Sequence, residues 1–269
     1  MFQQFNISRT GFGVYQKMMF NITNNLANAN TPAFKQSRTE VATLFPVVLQ
    51  EAEMLYAEDQ VNNPYRKKKR GVELGSGVQI EAITQDFSQG TIKTTRNQFD
   101  VAIQGKGFLQ FRSADGQALY SRAGNLRRNS QGDLMSQSGH LLDPPVQLPT
   151  QTEAVTIDQE GRVFAQVSGD PVSQEVGQLL LANFSNPDSL KQVGHNMYEE
   201  TEQSGEPYVN VPGQNGAGEM VQYAIENSNV DVIKEMMEMI MTQKGLELLG
   251  KAMNAGQAML RAGMGMGDK

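Results

Sequence analysis

Both ends of this 269-residue chain place an apolar residue at every seventh position, and that repeat limits the possible folds more than any other feature. In the C-terminal segment, Asn227 to about Ala262, the positions Val232, Met239, Leu246, Met253 and Leu260 continue a spacing that begins at Ile225, and Ile233, Met236, Ile240 and Leu249 widen the stripe. From Phe5 to Ala29, the residues Phe5, Phe12, Met19 and Leu26 keep one heptad position, and Tyr15, Ile22 and Ala29 keep a second three residues along. The spacing predicts two amphipathic helices of about 37 Å and 54 Å bracketing a different interior. A stripe that long must be covered by another helix, either the other end of the same chain or a neighbouring subunit, and periodicity alone leaves both open.

The chain is long enough to bury a real core. Its formal charge of −6 argues against nucleic acid as a main partner, because phosphate binding shows as a basic excess. With no cysteine there is neither a disulfide nor a thiolate metal site, and an oxidising compartment carries no risk of mispairing. No run of about 18 apolar residues is present, so no membrane insertion is expected, and the N-terminus lacks the basic flank and apolar core of a secretory signal.

The first helix pattern closes in Asn24-Asn25-Leu26-Ala27-Asn28-Ala29-Asn30-Thr31-Pro32, where Pro32 biases Thr31 away from helix. Those asparagines either cap backbone carbonyls or pack against another polypeptide. Residues 36–77 then change character and end in the cationic run Arg66, Lys67, Lys68, Lys69, Arg70, which reads as part of a linker and extended hairpin or loop. A cationic tip on an acidic chain is solvated, paired within the chain, or directed at an acidic patch of a neighbour.

From residue 78 to 224 short runs such as the alternating Val78 to Ile83 and Val101 to Ile103, and Phe108 to Phe111 after two glycines, are separated by Asp115-Gly116, Gln131-Gly132 and Glu160-Gly161, as strands are by hairpin turns. The expected class is α+β, with terminal helical segments 1–35 and 225–269, the insertion 36–77 and a β-rich domain 78–224. Catalytic chemistry is not apparent. His140 and His195 have no metal-spaced companion, and Gly105-Lys106-Gly107 precedes a strand, not the helix a phosphate loop requires. No cofactor and no metal site is expected, and the chain does not read as an enzyme.

The run Asn24 to Lys35, with Asn24, Asn25, Leu26, Ala27, Asn28, Phe34 and Lys35 as its motif positions, resembles the N-terminal signature of the bacterial flagellar basal-body rod and hook family. Asp100 to Phe108, Tyr120 to Leu126, Met197 to Thr201, Ser204 to Pro207, Asn215 to Gly218 and Glu226 to Val230 resemble its later motifs in order. Within the family the likeness is greater to distal than to proximal rod members or hook-type subunits. Ala33 departs from the pattern, which has glycine there, and the Arg66 to Arg70 run is no part of it.

The resemblance implies a structural subunit that polymerises into a hollow helical drive shaft carrying torque from motor to hook. It implies coiled-coil packing of the terminal helices, with Phe5, Phe12, Tyr15, Met19, Ile22, Leu26, Val232, Met239, Leu246, Met253 and Leu260 as the assembly interface and Arg66 to Arg70 as contacts of the insertion. The implied partners are copies of itself, other rod subunits, the hook protein, the L-ring and P-ring proteins and the flagellar type III export apparatus. Its place would be the rod crossing the periplasm, reached without a cleavable signal. The competing class is a binding module: a β domain with a helical hairpin that uses the Arg66 to Arg70 tip on an acidic or carbohydrate ligand.

Overall fold

The computed structural model describes residues 2–50, 72–113, 115–169 and 172–265, so the cationic run Arg66 to Arg70 lies outside the described residues. Helix α1 (Phe2–Ala27) opens the chain and is followed by β1 (Ser37–Thr43), β2 (Val47–Gln50), β3 (Val72–Leu74), β4 (Val78–Gln85), β5 (Ile92–Thr94), β6 (Val101–Gln104), β7 (Phe108–Arg112), β8 (Ala118–Ser121), β9 (Arg127–Arg128) and β10 (Leu134–Met135). Then come β11 (Leu141–Leu142), β12 (Thr152–Ile157), β13 (Arg162–Val167), β14 (Gln174–Gln178), β15 (Leu181–Asn183), β16 (Lys191–Gly194), β17 (Met197–Glu199), β18 (Tyr208–Asn210), β19 (Glu219–Gln222), β20 (Ala224–Glu226) and helix α2 (Val232–Gly265). Two terminal helices around a β-rich centre make this an α+β protein.

Helix α2 starts later than the apolar repeat predicts. Asn227 donates its backbone N–H to Thr91 O at 2.9 Å, which keeps it in a strand-like ladder. Asp231 is the cap, its Oδ1 accepting the N–H groups of Ile233 at 2.9 Å and Lys234 at 3.3 Å. Helix α1 ends at Ala27, and Asn28 takes its backbone N–H and its side-chain Nδ2 back to Asn24 O. That hydrogen bonding, together with Pro32, explains the stop.

The chain divides into two compact units. The first comprises Met1–Thr23, Thr39–Ile83 and Met236–Lys269. Within it the helices run antiparallel: a Cβ on Gly245 would meet the Tyr15 ring at 2.7 Å, and one on Gly11 would meet Leu249 at 3.2 Å. Glycine at those two positions is what lets the helix backbones approach. The strands of this unit form two-stranded pieces, β1 with β4 and β2 with β3. The Gly77 backbone lies so close to Thr10 and Ile7 that any side chain there would collide with them.

The second unit, Asn24–Arg38 with Thr84–Glu235, holds the main core. Its largest sheet runs β16-β17-β8-β7-β11-β10-β9, with β15 pairing both β7 and β18. Strands β12, β13 and β14 form a three-stranded sheet, and β6 pairs β19 with Ile103 opposite Met220. Val101, Ile103, Leu109, Phe111, Leu134, Val163, Leu181 and Met220 are buried in one cluster, each fully buried large side chain worth about 1.5–3 kcal/mol. Two of its turns reuse one device. Asn129 Oδ1 accepts the N–H groups of Gln131 and Asp133, Asp158 Oδ1 accepts those of Glu160 and Arg162, and Gly132 and Gly161 supply the positive φ in each.

Candidate functional site

Three stretches singled out in the sequence meet inside the second unit. Lys35 arrives from the N-terminal signature, placed by a turn in which Ala33 takes φ +56° and gives its N–H to Glu226 O at 2.8 Å. Arg122 follows the end of β8. Glu226 ends β20, which pairs with β5 in a register that sets Glu226 against Ile92. Lys35 Nζ lies 2.7 Å from Glu226 Oε1 and Arg122 Nε lies 2.8 Å from Glu226 Oε2, with the Lys35 and Glu226 side chains wholly buried.

The remaining donors are nearly all used. Lys35 Nζ also donates to Ser88 O at 2.7 Å, and the Arg122 guanidinium donates to Gly107 O at 3.0 Å and Gly105 O at 2.9 Å. Gly90 N–H gives Glu226 Oε1 a further bond at 2.8 Å. Burial pushes the Glu226 carboxyl up, yet the cations of Arg122 and Lys35 outweigh it and hold the group below the ordinary carboxylate range. Burial pushes the Lys35 ammonium down, Glu226 only partly restores it, and Arg122 repels it. Two cations share one carboxylate, so the cluster keeps a net positive charge in a low-dielectric site.

A second hydrogen-bond network lies beside it in the same unit. Asn25 Nδ2 donates to Ser37 O at 2.9 Å and Asn25 Oδ1 accepts Ser37 N–H at 3.0 Å, as a strand partner would. Glu235 Oε1 accepts from Gln36 Nε2 at 2.6 Å and from Asn25 Nδ2 at 3.2 Å. Asn229 Oδ1 takes the Gln36 N–H, and its Nδ2 donates to Asp86 O. Of the asparagines in the N-terminal signature, Asn25 is therefore buried and structural, while Asn24 and Asn28 cap the helix end. Asn24, Asn28 and Asn125 also line an open cleft of about 570 Å³ whose wall is otherwise mostly hydroxyls and amides.

On the helices, Ile22 is buried, and Phe5, Tyr15, Met19, Leu26, Met239, Leu246 and Met253 are half-buried. Phe12 and Val232 are exposed, and the side chain of Leu260 lies outside the described residues. Ala27 is exposed, while Phe34 and Lys35 are buried. The covered line of α2 is completed by Glu235, Thr242, Leu249 and Gly256, and that of α1 by Ser8, Gly11, Val14, Met18 and Asn25. Apolar periodicity passes over the small and polar positions among these, Ser8, Gly11, Asn25, Glu235, Thr242 and Gly256, although the same seven-residue spacing, continued three positions further, reaches them. Ile233, Met236, Met237, Ile240, Met241 and Leu248 instead form an exposed stripe along α2, with Ile233 and Met241 each 71% exposed.

Among the described residues there is no cluster of three or more metal-ligating side chains, and no helix is long and apolar enough to cross a membrane.

Residues 102–165 match the model of the flagellar hook protein FlgE/F/G D1 domain, and residues 221–266 match that of the flagellar basal body rod FlgEFG protein C-terminal region. The flagellar basal-body rod protein FlgG of Agrobacterium fabrum is 35% identical to the chain, over 94% of this chain and 95% of that protein. The chain belongs to the FlgG family of flagellar basal-body rod proteins. FlgG of Caulobacter vibrioides is 34% identical over 97% of both chains, and FlgG of Buchnera aphidicola is 33% identical over 95% of this chain and 96% of its own. As a member of the FlgG family the chain is a structural rod subunit of the flagellar basal body, most like the distal rod, and not an enzyme. Lys35 and Arg122 lie in segments that also carry the resemblance to the family, and the C-terminal family match begins five residues before Glu226.

Proposed function

We propose that this chain assembles with copies of itself into a hollow helical shaft that carries torque, and that the two terminal helices are its assembly element. The observation that carries the reading is the exposed apolar stripe of α2, Ile233 to Leu248, together with Phe12 and Phe20 on α1. A helix apolar on the face it packs and on a second face needs a second partner. Another subunit supplies it.

In this reading residues 1–35 and 225–269 form a coiled-coil-like inner domain, residues 78–224 the outer domain, and residues 36–77 an insertion that reaches neighbours through Arg66 to Arg70. The helix positions Phe5, Phe12, Tyr15, Met19, Ile22, Leu26, Val232, Met239, Leu246, Met253 and Leu260 divide between closing the hairpin and meeting the next copy. Other rod subunits and the hook protein bind the two ends of the shaft, the L-ring and P-ring proteins surround it in the periplasm, and the subunit reaches its place through the flagellar type III export apparatus without a cleaved signal.

The test is Ile240→Asp combined with Met241→Asp, followed by backbone amide exchange on monomer and assembled material. The expected result is loss of polymer with the exchange of residues 84–226 unchanged, and in wild type slow exchange of both helices only after assembly. Polymer that still forms from the double variant would remove the α2 stripe from the interface.

A further inference from the structure

The second unit contains a cleft of about 610 Å³ walled by Phe87, Phe108 and Phe184. Their rings meet edge to face, Phe87 with Phe108 at 5.2 Å and Phe108 with Phe184 at 5.8 Å between centroids. Asn183 lines the same cleft, and its Oδ1 is buried with no hydrogen-bond donor among the described residues. A side chain on Gly107 would come within 3.1 Å of that oxygen, so glycine with φ +133° keeps the space open. The charged groups on the lining, Asp86 and Asp188 against Lys106 and Arg122, balance. The cleft therefore suits an uncharged segment with an aromatic side chain and a free backbone N–H.

The chain itself carries such a segment. Leu44-Phe45-Pro46-Val47 has no charge, and Phe45 is 94% exposed, more than any other large apolar side chain among the described residues. We propose that Phe45 of one copy seats in this aromatic cleft of the next copy, with the Phe45 backbone N–H donating to Asn183 Oδ1, since the Leu44 N–H is taken by Gly77 O and Pro46 has none. The proposal rests on the assembly reading above and names one of its contacts. Repeated head-to-tail from copy to copy, a contact of this kind propagates into an open filament wherever its rotation does not close.

The chain has no cysteine, so a paired substitution reports the contact directly. The full-length Phe45→Cys, Ser185→Cys double variant, assembled and mildly oxidised, is expected to give a ladder of disulfide-linked dimers and higher species on a denaturing gel. Phe45→Cys with Ser168→Cys, which lies off the cleft, is expected to give none. Phe45→Asp should reduce assembled material about tenfold or more, whereas Phe45→Leu retains most of it. Polymer in which the 45–185 pair gives only monomer, or only a bridge within one chain, overturns this contact and leaves the assembly reading standing. A wild-type chain that never polymerises overturns both.

Discussion

Lys35 and Glu226, 191 residues apart in sequence, lie 2.7 Å apart with both side chains sealed from solvent, and Arg122 holds the other oxygen of the same carboxylate. The three members are not equivalent. Removing Glu226 leaves two buried cations facing each other, whereas removing the Lys35 charge leaves a neutral Arg122–Glu226 pair.

Glu226→Gln is therefore expected to cost about 3–5 kcal/mol, and Lys35→Met less than about 1.5 kcal/mol. Ser88 O keeps a bond from Asn229 Nδ2 at 3.2 Å when the ammonium is gone. Urea unfolding followed in the β unit measures both. Equal losses for the two variants would show that the cluster does not behave as a two-cation, one-carboxylate site.

Acid should act through the same carboxyl. Glu226 sits below its ordinary value of 4.5 in the folded chain, so between those two values the unfolded chain binds more protons. The stability it contributes is complete above about 4.5 and is lost as pH falls through the folded value. The urea midpoint should hold steady down to the carboxylate range and then drop. The drop should be shallower in Glu226→Gln, and an unchanged slope would assign acid sensitivity to other groups.

Gly245 and Gly250 give opposite expectations. Nothing lies within 4 Å of a Cβ at Gly250, so Gly250→Ala should stabilise by up to about 1 kcal/mol through helix propensity. At Gly245 the Tyr15 ring occupies that space, and Gly245→Ala should cost about 1–3 kcal/mol. Combining it with Tyr15→Ala should recover part of the loss, a coupling that a double-mutant cycle on thermal unfolding reads directly. Additive costs would place the ring elsewhere.

Ala33 is the converse case, an L-residue held at φ +56° and buried. Left-handed backbone costs alanine roughly 1–2 kcal/mol and glycine little, while glycine gives back part of that in the unfolded chain. Ala33→Gly should raise stability by about 0.5–1 kcal/mol, seen as an increase of a few degrees in Tm. A lower Tm would mean that the Ala33 methyl contributes more by packing than the turn loses by strain.

Most of the fold was legible where one residue property decides it. Alternation at Val78 to Ile83 located β4, the apolar run Phe108 to Phe111 after two glycines located β7, and Asp115-Gly116 and Glu160-Gly161 located the β7–β8 and β12–β13 turns because glycine takes positive φ at least cost. The helix line was legible at Tyr15, Ile22, Leu246 and Met253, whose apolarity and covering coincide. It was not legible at Gly11, Asn25, Glu235 and Thr242, which are covered because they are small or because their polar groups find partners. The cluster was hidden for another reason. Lys35, Arg122 and Glu226 stand in three separate stretches of the sequence, and only the β5–β20 pairing and the turn at Ala33 bring them together.

The Lys35–Glu226–Arg122 cluster also sets a timetable. A chain delivered from its first residue presents Lys35 and Arg122 long before Glu226 appears, and until then they lack the carboxylate that both of them contact. The β unit then cannot close around a partial chain without enclosing bare positive charge. Its final locking waits for nearly the whole polypeptide, and a subunit that stops short of Glu226 forgoes at least the stability expected to be lost in Glu226→Gln.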